Sequence, residues 1–152
     1  MDQHDCYLWA AQRCSVKEYC RTDIVAKLLA KGASNGDAQA VADRLEKEKY
    51  LDDARYVRAF VADKFRFDHW GKQKIAQALR LKGFSSQEVD EAFHETVSEE
   101  DYAEALRDFL AAKLRTTKAD TPFAQRQKVA RSAISRGFEP HLVFKALSLD
   151  DF

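Results

Sequence analysis

Tyr50-Leu51-Asp52-Asp53-Ala54-Arg55-Tyr56-Val57-Arg58-Ala59-Phe60-Val61 is the stretch that decides how the chain is read. Asp52 or Asp53 is a natural helix N-cap. A short carboxylate there accepts a hydrogen bond from the unpaired N–H groups of the first turn and suits the positive end of the helix dipole. Leu51, ahead of the cap, can staple onto that turn. Beyond the cap, Tyr56, Ala59, Phe60 and Phe67 recur at helical spacing and predict one buried stripe. Val61 and Phe65 fall on the other side, where they either pack on a neighbouring unit or join an interface. Arg55, Arg58 and Arg66 follow one another on an adjacent stripe. The helix reads as a binding element that buries one face and holds out guanidinium groups on the next.

Working outward, the chain repeats its plan. Three segments end alike: Ala26-Lys27-Leu28-Leu29-Ala30-Lys31-Gly32, Gln77-Ala78-Leu79-Arg80-Leu81-Lys82-Gly83-Phe84, and Arg131-Ser132-Ala133-Ile134-Ser135-Arg136-Gly137-Phe138. A basic residue precedes each Gly, and a β-branched residue stands eight before it: Ile24, Ile75 and Val129. The glycine supplies a left-handed residue that closes a helix, and the Lys or Arg suits the negative helix end. After each Gly come an i, i+4 apolar pair, Val41 with Leu45, Val89 with Phe93 and Val143 with Leu147. Before each segment comes Tyr, then Ala three later: Tyr7 and Ala10, Tyr56 and Ala59, Tyr102 and Ala105. The alanine lets another helix approach closely.

The expectation is therefore an all-α protein of three tandem three-helix repeats, at 5–50, 51–97 and 98–150, forming an elongated, curved array of about nine helices. Asp37 is the expected cap of the third helix, Ser85 or Ser86 with Glu88 a near capping box, and Pro122 and Glu139-Pro140 the starts of the last two helices. Ser148 to Phe152 are expected to fray.

Composition agrees with this class. The chain has 152 residues, 45% hydrophobic and 33% charged, enough for a real core and too apolar for disorder. Five Gly and two Pro favour helices joined by short turns. No apolar run approaches a membrane span, and Met1-Asp2-Gln3-His4-Asp5 lacks the basic start of a signal peptide, so a cytoplasmic protein is expected. Cys6, Cys14 and Cys20 lack the paired spacing of zinc ligands and read as free thiols on or near a core.

The net charge of +0 hides blocks. Residues 55–82 carry eight basic and two acidic side chains, residues 86–110 one basic and nine acidic, and residues 113–137 seven basic and one acidic. Such alternation describes either solvated helix faces or a surface made for a charged, patterned partner. Glu88, Asp90, Glu91, Glu95, Glu99, Glu100, Asp101 and Glu104 form an acidic belt that would repel DNA and accept a basic protein loop.

Catalytic chemistry is not visible. His4, His69, His94 and His141 are scattered, none beside a Ser or Cys that it could activate. No glycine-rich phosphate loop or metal-spaced His/Glu pair occurs. The Asp52–Asp53 pair is accounted for by helix capping. The expectation is a protein that is not an enzyme and needs no cofactor or metal.

The string Tyr50-Leu51-Asp52-Asp53-Ala54-Arg55-Tyr56, then Trp70-Gly71-Lys72-Gln73-Lys74-Ile75 running into Leu79-Arg80-Leu81-Lys82-Gly83-Phe84, and finally Ser135-Arg136-Gly137-Phe138, resembles the RecX regulatory proteins of bacteria. The resemblance spans the whole chain and is weakest over residues 1–45. Phe84 stands where the family usually has Ile or a similar residue after Lys-Gly.

The resemblance implies three tandem three-helix repeats without catalytic activity, acting on the RecA recombinase. Such proteins lie along the groove of the RecA–DNA filament, block strand exchange and ATP turnover, and damp the SOS response; some bind DNA directly. The expected partners are thus the RecA filament and single- or double-stranded DNA, with the chain a monomer and no membrane involved. The residues expected to meet RecA or DNA are Arg55, Arg58, Lys64, Arg66, Lys72, Lys74, Arg80 and Lys82, with Arg126, Lys128 and Arg131 in the third repeat. Phe65, Phe67 and Trp70 lie among these cations and could stack on bases. A helical DNA- or RNA-binding regulator acting without RecA is the alternative.

Overall fold

Nine α-helices and no strand make up the described residues, 1–149, of this computed structural model. They are α1 (Gln3–Val16), α2 (Arg21–Ala30), α3 (Asn35–Lys47), α4 (Asp53–Arg66), α5 (Lys72–Leu81), α6 (Ser86–Thr96), α7 (Glu99–Thr116), α8 (Pro122–Ser135) and α9 (Pro140–Ala146). The all-α expectation holds. Contacts divide the chain within α4 into two units, Met1–Ala59 and the residues from Phe60 onward.

Short polar side chains start most of the helices. Asp2, Ser34, Ser85, Ser98 and Thr121 each accept from the N–H three residues on, pairing a donor that the first turn leaves open. Ser85 and Glu88 complete a reciprocal capping box. At α3 the cap is Ser34, not the expected Asp37. Asp37 sits in the first turn, where its N–H donates to the Ser34 hydroxyl oxygen at 3.1 Å.

In the first unit α1 and α2 pack on α3 around Cys6, Ala10, Ile24, Leu28, Val41 and Leu45, all buried. Cys6 and Cys20 are buried and Cys14 half-buried, all as free thiols. Burial pushes the Cys14 thiol up to about 11. The two aspartates of the opening stretch cap two different helices. Asp52 accepts the Arg55 N–H at 3.0 Å and caps α4. Asp53 accepts the Arg21 N–H, also at 3.0 Å, and so caps α2, whose own N-cap residue Cys20 makes no side-chain cap bond.

The buried face of α4 differs from the expected stripe. Tyr56, Val57 and Val61 are buried, Ala59 and Phe60 only half-buried, and Phe67 is 76% exposed. Val57, Val61 and Phe65 stand four apart and form one ridge along the helix. Phe67 lies beyond the last helical residue, Arg66, so the period no longer carries it inward.

In the second unit α5 packs on α6 with Ile75, Leu79, Val89 and Phe93 buried. Helix α8 packs on α7 and α9 around Leu106, Leu110, Val129, Ala133, Phe138 and Val143. Phe65, Phe93, Tyr102, Phe138 and Phe109 form a chain of rings with successive centroids 5.5–6.3 Å apart. Leu149, expected to fray, is 8% exposed and its N–H bonds the Phe144 carbonyl at 2.8 Å. The rest of that stretch, 150–152, lies outside the described residues.

Gly32, Gly83 and Gly137 all take left-handed backbone, at φ +98°, +97° and +107°. The residue after each donates to the carbonyl five back, Ala33 to Leu28, Phe84 to Leu79 and Phe138 to Ala133, each at 3.1 Å. Both residues of each pair are buried, which is the Schellman closure with its apolar contact.

Candidate nucleic-acid interface

Helix α5 begins without a side-chain cap of its own. Its open donors are met from the third segment instead. The Gly71 N–H reaches the Arg136 carbonyl and the Gln73 N–H the Gly137 carbonyl, both at 2.9 Å. The Lys72 N–H donates to the Tyr102 hydroxyl at 3.0 Å, and that hydroxyl donates to the Glu139 carboxylate. Burial, with the Glu139 hydrogen bond, holds the Tyr102 hydroxyl far above its ordinary value, so it stays a neutral donor. The close approach requires glycine on both sides. A Cβ on Gly71 would run into the Gly137 carbonyl carbon and the Phe138 nitrogen, and one on Gly137 would meet the Lys74 nitrogen at 2.7 Å.

This seam places Lys74, one turn into α5, beside the end of α8. There Lys74, Lys113, Arg131 and Arg136, with the hydroxyls of Ser132 and Ser135, line a cleft of about 380 Å³ against Phe109. No carboxylate lines it. Ring faces hold three of the cations: Lys74 Nζ lies 4.6 Å from the Trp70 ring centre, Lys113 Nζ 5.8 Å and the Arg136 guanidinium 5.3 Å from that of Phe109. Arg136 also donates to the Asp68 carbonyl at 3.2 Å. Four cations and two hydroxyls without a carboxylate suit an anion that offers several oxygens, and a nucleic-acid phosphate is such an anion.

Of the residues expected to bind, Lys74 and Arg131 are brought together here. The others are placed elsewhere. Arg55 is turned back into its own unit, bonding Glu18 and the carbonyls of Lys49 and Tyr50 at 3.1 and 3.3 Å. Lys64 pairs with Asp68 at 2.9 Å and Lys72 with Asp90 at 3.1 Å. Lys128 donates to the Lys118 carbonyl at 3.0 Å, and Arg126 keeps a buried Nε with no hydrogen-bond partner among the described residues. Arg58 and Arg80 are exposed and Lys82 half-buried. Arg66 lines an adjoining cleft with His69, Trp70, Asp101, Glu104 and Asp108, which shares Phe109 and Arg136 with the first. Neither Lys113 nor Arg136 is among the residues expected to bind. The sequence shows Arg136 in the basic series of the third repeat, with Arg126, Lys128 and Arg131, and as the residue before Gly137; Lys113 shows only as part of a basic block.

A model of RecX, second three-helix domain, matches residues 52–92, and one of RecX, third three-helix domain, matches residues 99–147. The chain belongs to the RecX family. Lys74 lies in the match to the second RecX domain, and Lys113, Arg131 and Arg136 lie in the match to the third, so the cleft joins the two. Among relatives, the regulatory protein RecX of Xanthomonas axonopodis pv. citri is 31% identical over 134 residues, 88% of this chain and 80% of that one. The regulatory protein RecX of Pseudomonas putida KT2440 is 29% identical over 140 residues, 90% and 86% of the two chains. The fold is shared with a crystal structure of RecX from Lactobacillus salivarius, at a TM-score of 0.84 and 16% identity, covering 99% of this chain and 98% of that one. A second crystal structure of a regulatory protein RecX gives 0.83 at 23% identity, covering 99% and 72%. No helix of the described residues is long and apolar enough to cross a membrane.

Proposed function

We propose that this chain binds the RecA–DNA filament, occupies its groove and lowers recombinase, ATPase and SOS co-protease activity. Its membership of a family whose relatives are named regulatory proteins carries the reading. The cationic cleft adds a physical basis, because a groove with nucleic acid at its floor presents phosphates to such a surface. The chain acts by occupancy, without catalysis. Its three-helix copies at 5–50, 51–97 and 98–150 spread many weak contacts along a periodic partner, where effective concentration adds them up.

The test is RecA ATPase on single-stranded DNA, titrated with this protein. The rate should fall at ratios well below one per RecA. A rate unchanged up to equimolar protein sinks the proposal. Lys74→Glu with Arg131→Glu should weaken the effect while leaving the circular dichroism spectrum intact.

The cleft also favours a second reading, direct nucleic-acid binding without RecA, because it needs no protein partner to attract a phosphate. Binding to bare DNA that equals binding to RecA-coated DNA, and collapses with rising salt, would select it.

A further inference from the structure

Helices α8 and α9 leave an open groove on the second unit that shares only Arg131 with the cationic cleft. It has a volume of about 720 Å³, within the range of a built ligand site. Its floor is apolar, with Ala130 and Leu149 buried and Ile134 half-buried, and Phe123 and Phe144 flank it, each 37% exposed. Its polar edge is cationic or neutral: Arg131, Lys145, His141 and Gln127, with no carboxylate.

The apolar and basic character is not required by the helix pair itself. Val143 of α9 has the same place in its segment as Val41 and Val89. All three valines are buried, yet the residues next to them differ. Where α9 has Phe144 and Lys145, the corresponding positions are Ala42 and Asp43 in α3, and Asp90 and Glu91 in α6. The fold therefore forms with small or acidic side chains there. An exposed Phe in the third copy costs solubility without adding to the core, which points to an occupant.

We propose that this groove is the docking site for an acidic amphipathic peptide segment of a partner protein. Two apolar side chains at i, i+4 would fill the space between Phe123 and Phe144, and flanking Asp or Glu would pair with Arg131 and Lys145. Helix-in-groove recognition uses this division, apolar anchors for affinity and charge for selection. Charge complementarity fixes the class: a basic or neutral peptide would leave the cationic edge unpaired. Phe144 and Lys145 line the groove and not the cleft, so variants there test this proposal apart from RecA regulation.

The probe is a fluorescein-labelled 14-residue peptide with Leu and Phe at i, i+4 among glutamates, read by fluorescence anisotropy and by amide shifts of the 15N-labelled full chain. Saturable binding is expected, with shifts centred on α8 and α9. Phe144→Ala and Lys145→Glu, both at exposed positions that spare the fold, should each weaken it at least tenfold. The same peptide with lysines for glutamates should not bind. Absence of saturable binding, wild-type affinity in both variants, or equal binding of the lysine peptide overturns the proposal. Binding of a single-stranded oligonucleotide that Phe144→Ala and Lys145→Glu weaken as much as they weaken the peptide also overturns it, because the groove would then be a phosphate surface.

Discussion

Gly71 and Gly137 meet backbone to backbone, so closely that a single methyl group on either would strike the other's strand of chain. Their neighbours complete the seam: the Gly71 N–H to the Arg136 carbonyl and the Gln73 N–H to the Gly137 carbonyl, both at 2.9 Å. The seam replaces the missing cap of α5 and brings Lys74 to the basic cleft.

A methyl at Gly71 should therefore cost more than one at either of two other glycines. Gly71→Ala forces backbone apart and should lose about 1–3 kcal/mol. Gly83 is left-handed, but open space surrounds it, so Gly83→Ala should lose about 1–2 kcal/mol from backbone strain alone. Gly36 lies inside α3 with ordinary backbone and nothing near, so Gly36→Ala should gain about 0.5–1 kcal/mol. Urea unfolding of the three variants gives the order.

Tyr102 should make the protein sensitive to alkali. Its hydroxyl bridges the Lys72 N–H and the Glu139 carboxylate and stays protonated well above its ordinary value of 10.0. The unfolded chain releases that proton near its ordinary value and the folded chain does not. The stabilisation is thus fully present below about pH 10 and is lost as the pH rises further. Tyr102→Phe should lower stability by about 1–3 kcal/mol at neutral pH, since it leaves two groups unpaired. The same variant should flatten the fall in melting temperature above pH 10.

Asp52 and Asp53 serve as caps through a side-chain oxygen, and the helix dipole adds a smaller charge term. Each of Asp52→Ala and Asp53→Ala should cost about 0.5–2 kcal/mol. Asp52→Asn and Asp53→Asn keep an acceptor oxygen and should stay near wild type in both stability and RecA ATPase inhibition. Loss of inhibition in the folded Asn variants would show that the carboxylates do more than cap.

The cleft should leave its mark on salt dependence. If Lys74 and Arg131 each meet a phosphate of single-stranded DNA, the double variant Lys74→Ala/Arg131→Ala loses two contacts. The slope of log affinity against log salt should then become shallower by about 1.4, from about 0.7 per contact. Arg55→Ala should leave the slope unchanged, because Arg55 is held by Glu18 and two carbonyls.

Local signals made much of the fold legible. The Lys/Arg–Gly endings, the β-branched residue eight before them and the i, i+4 pairs after them each specify a turn or a helix face within a few residues. Such features depend on neighbours along the chain, and the structure shows them as three matching closures. The candidate site was less legible. Of the basic residues singled out, Lys74 and Arg131 share the cleft, while Arg55, Lys64 and Lys72 are engaged by carboxylates. Spacing shows which cations share a helix stripe and gives no sign of an acid such as Glu18, 37 residues away.

The sequence by itself determined the helices, local caps such as Asp52 and Ser85, and the glycine closures, because a hydrogen bond to a local cap and a left-handed residue are settled within one turn. Only the tertiary structure decided that Asp53 caps α2, that Gly71 must meet Gly137, and that Lys113 and Arg136 join Lys74 and Arg131. These relationships span 32 positions from Arg21 to Asp53, 66 from Gly71 to Gly137 and 62 from Lys74 to Arg136. Packing of whole helices fixes them, and no local pattern along the chain carries that information.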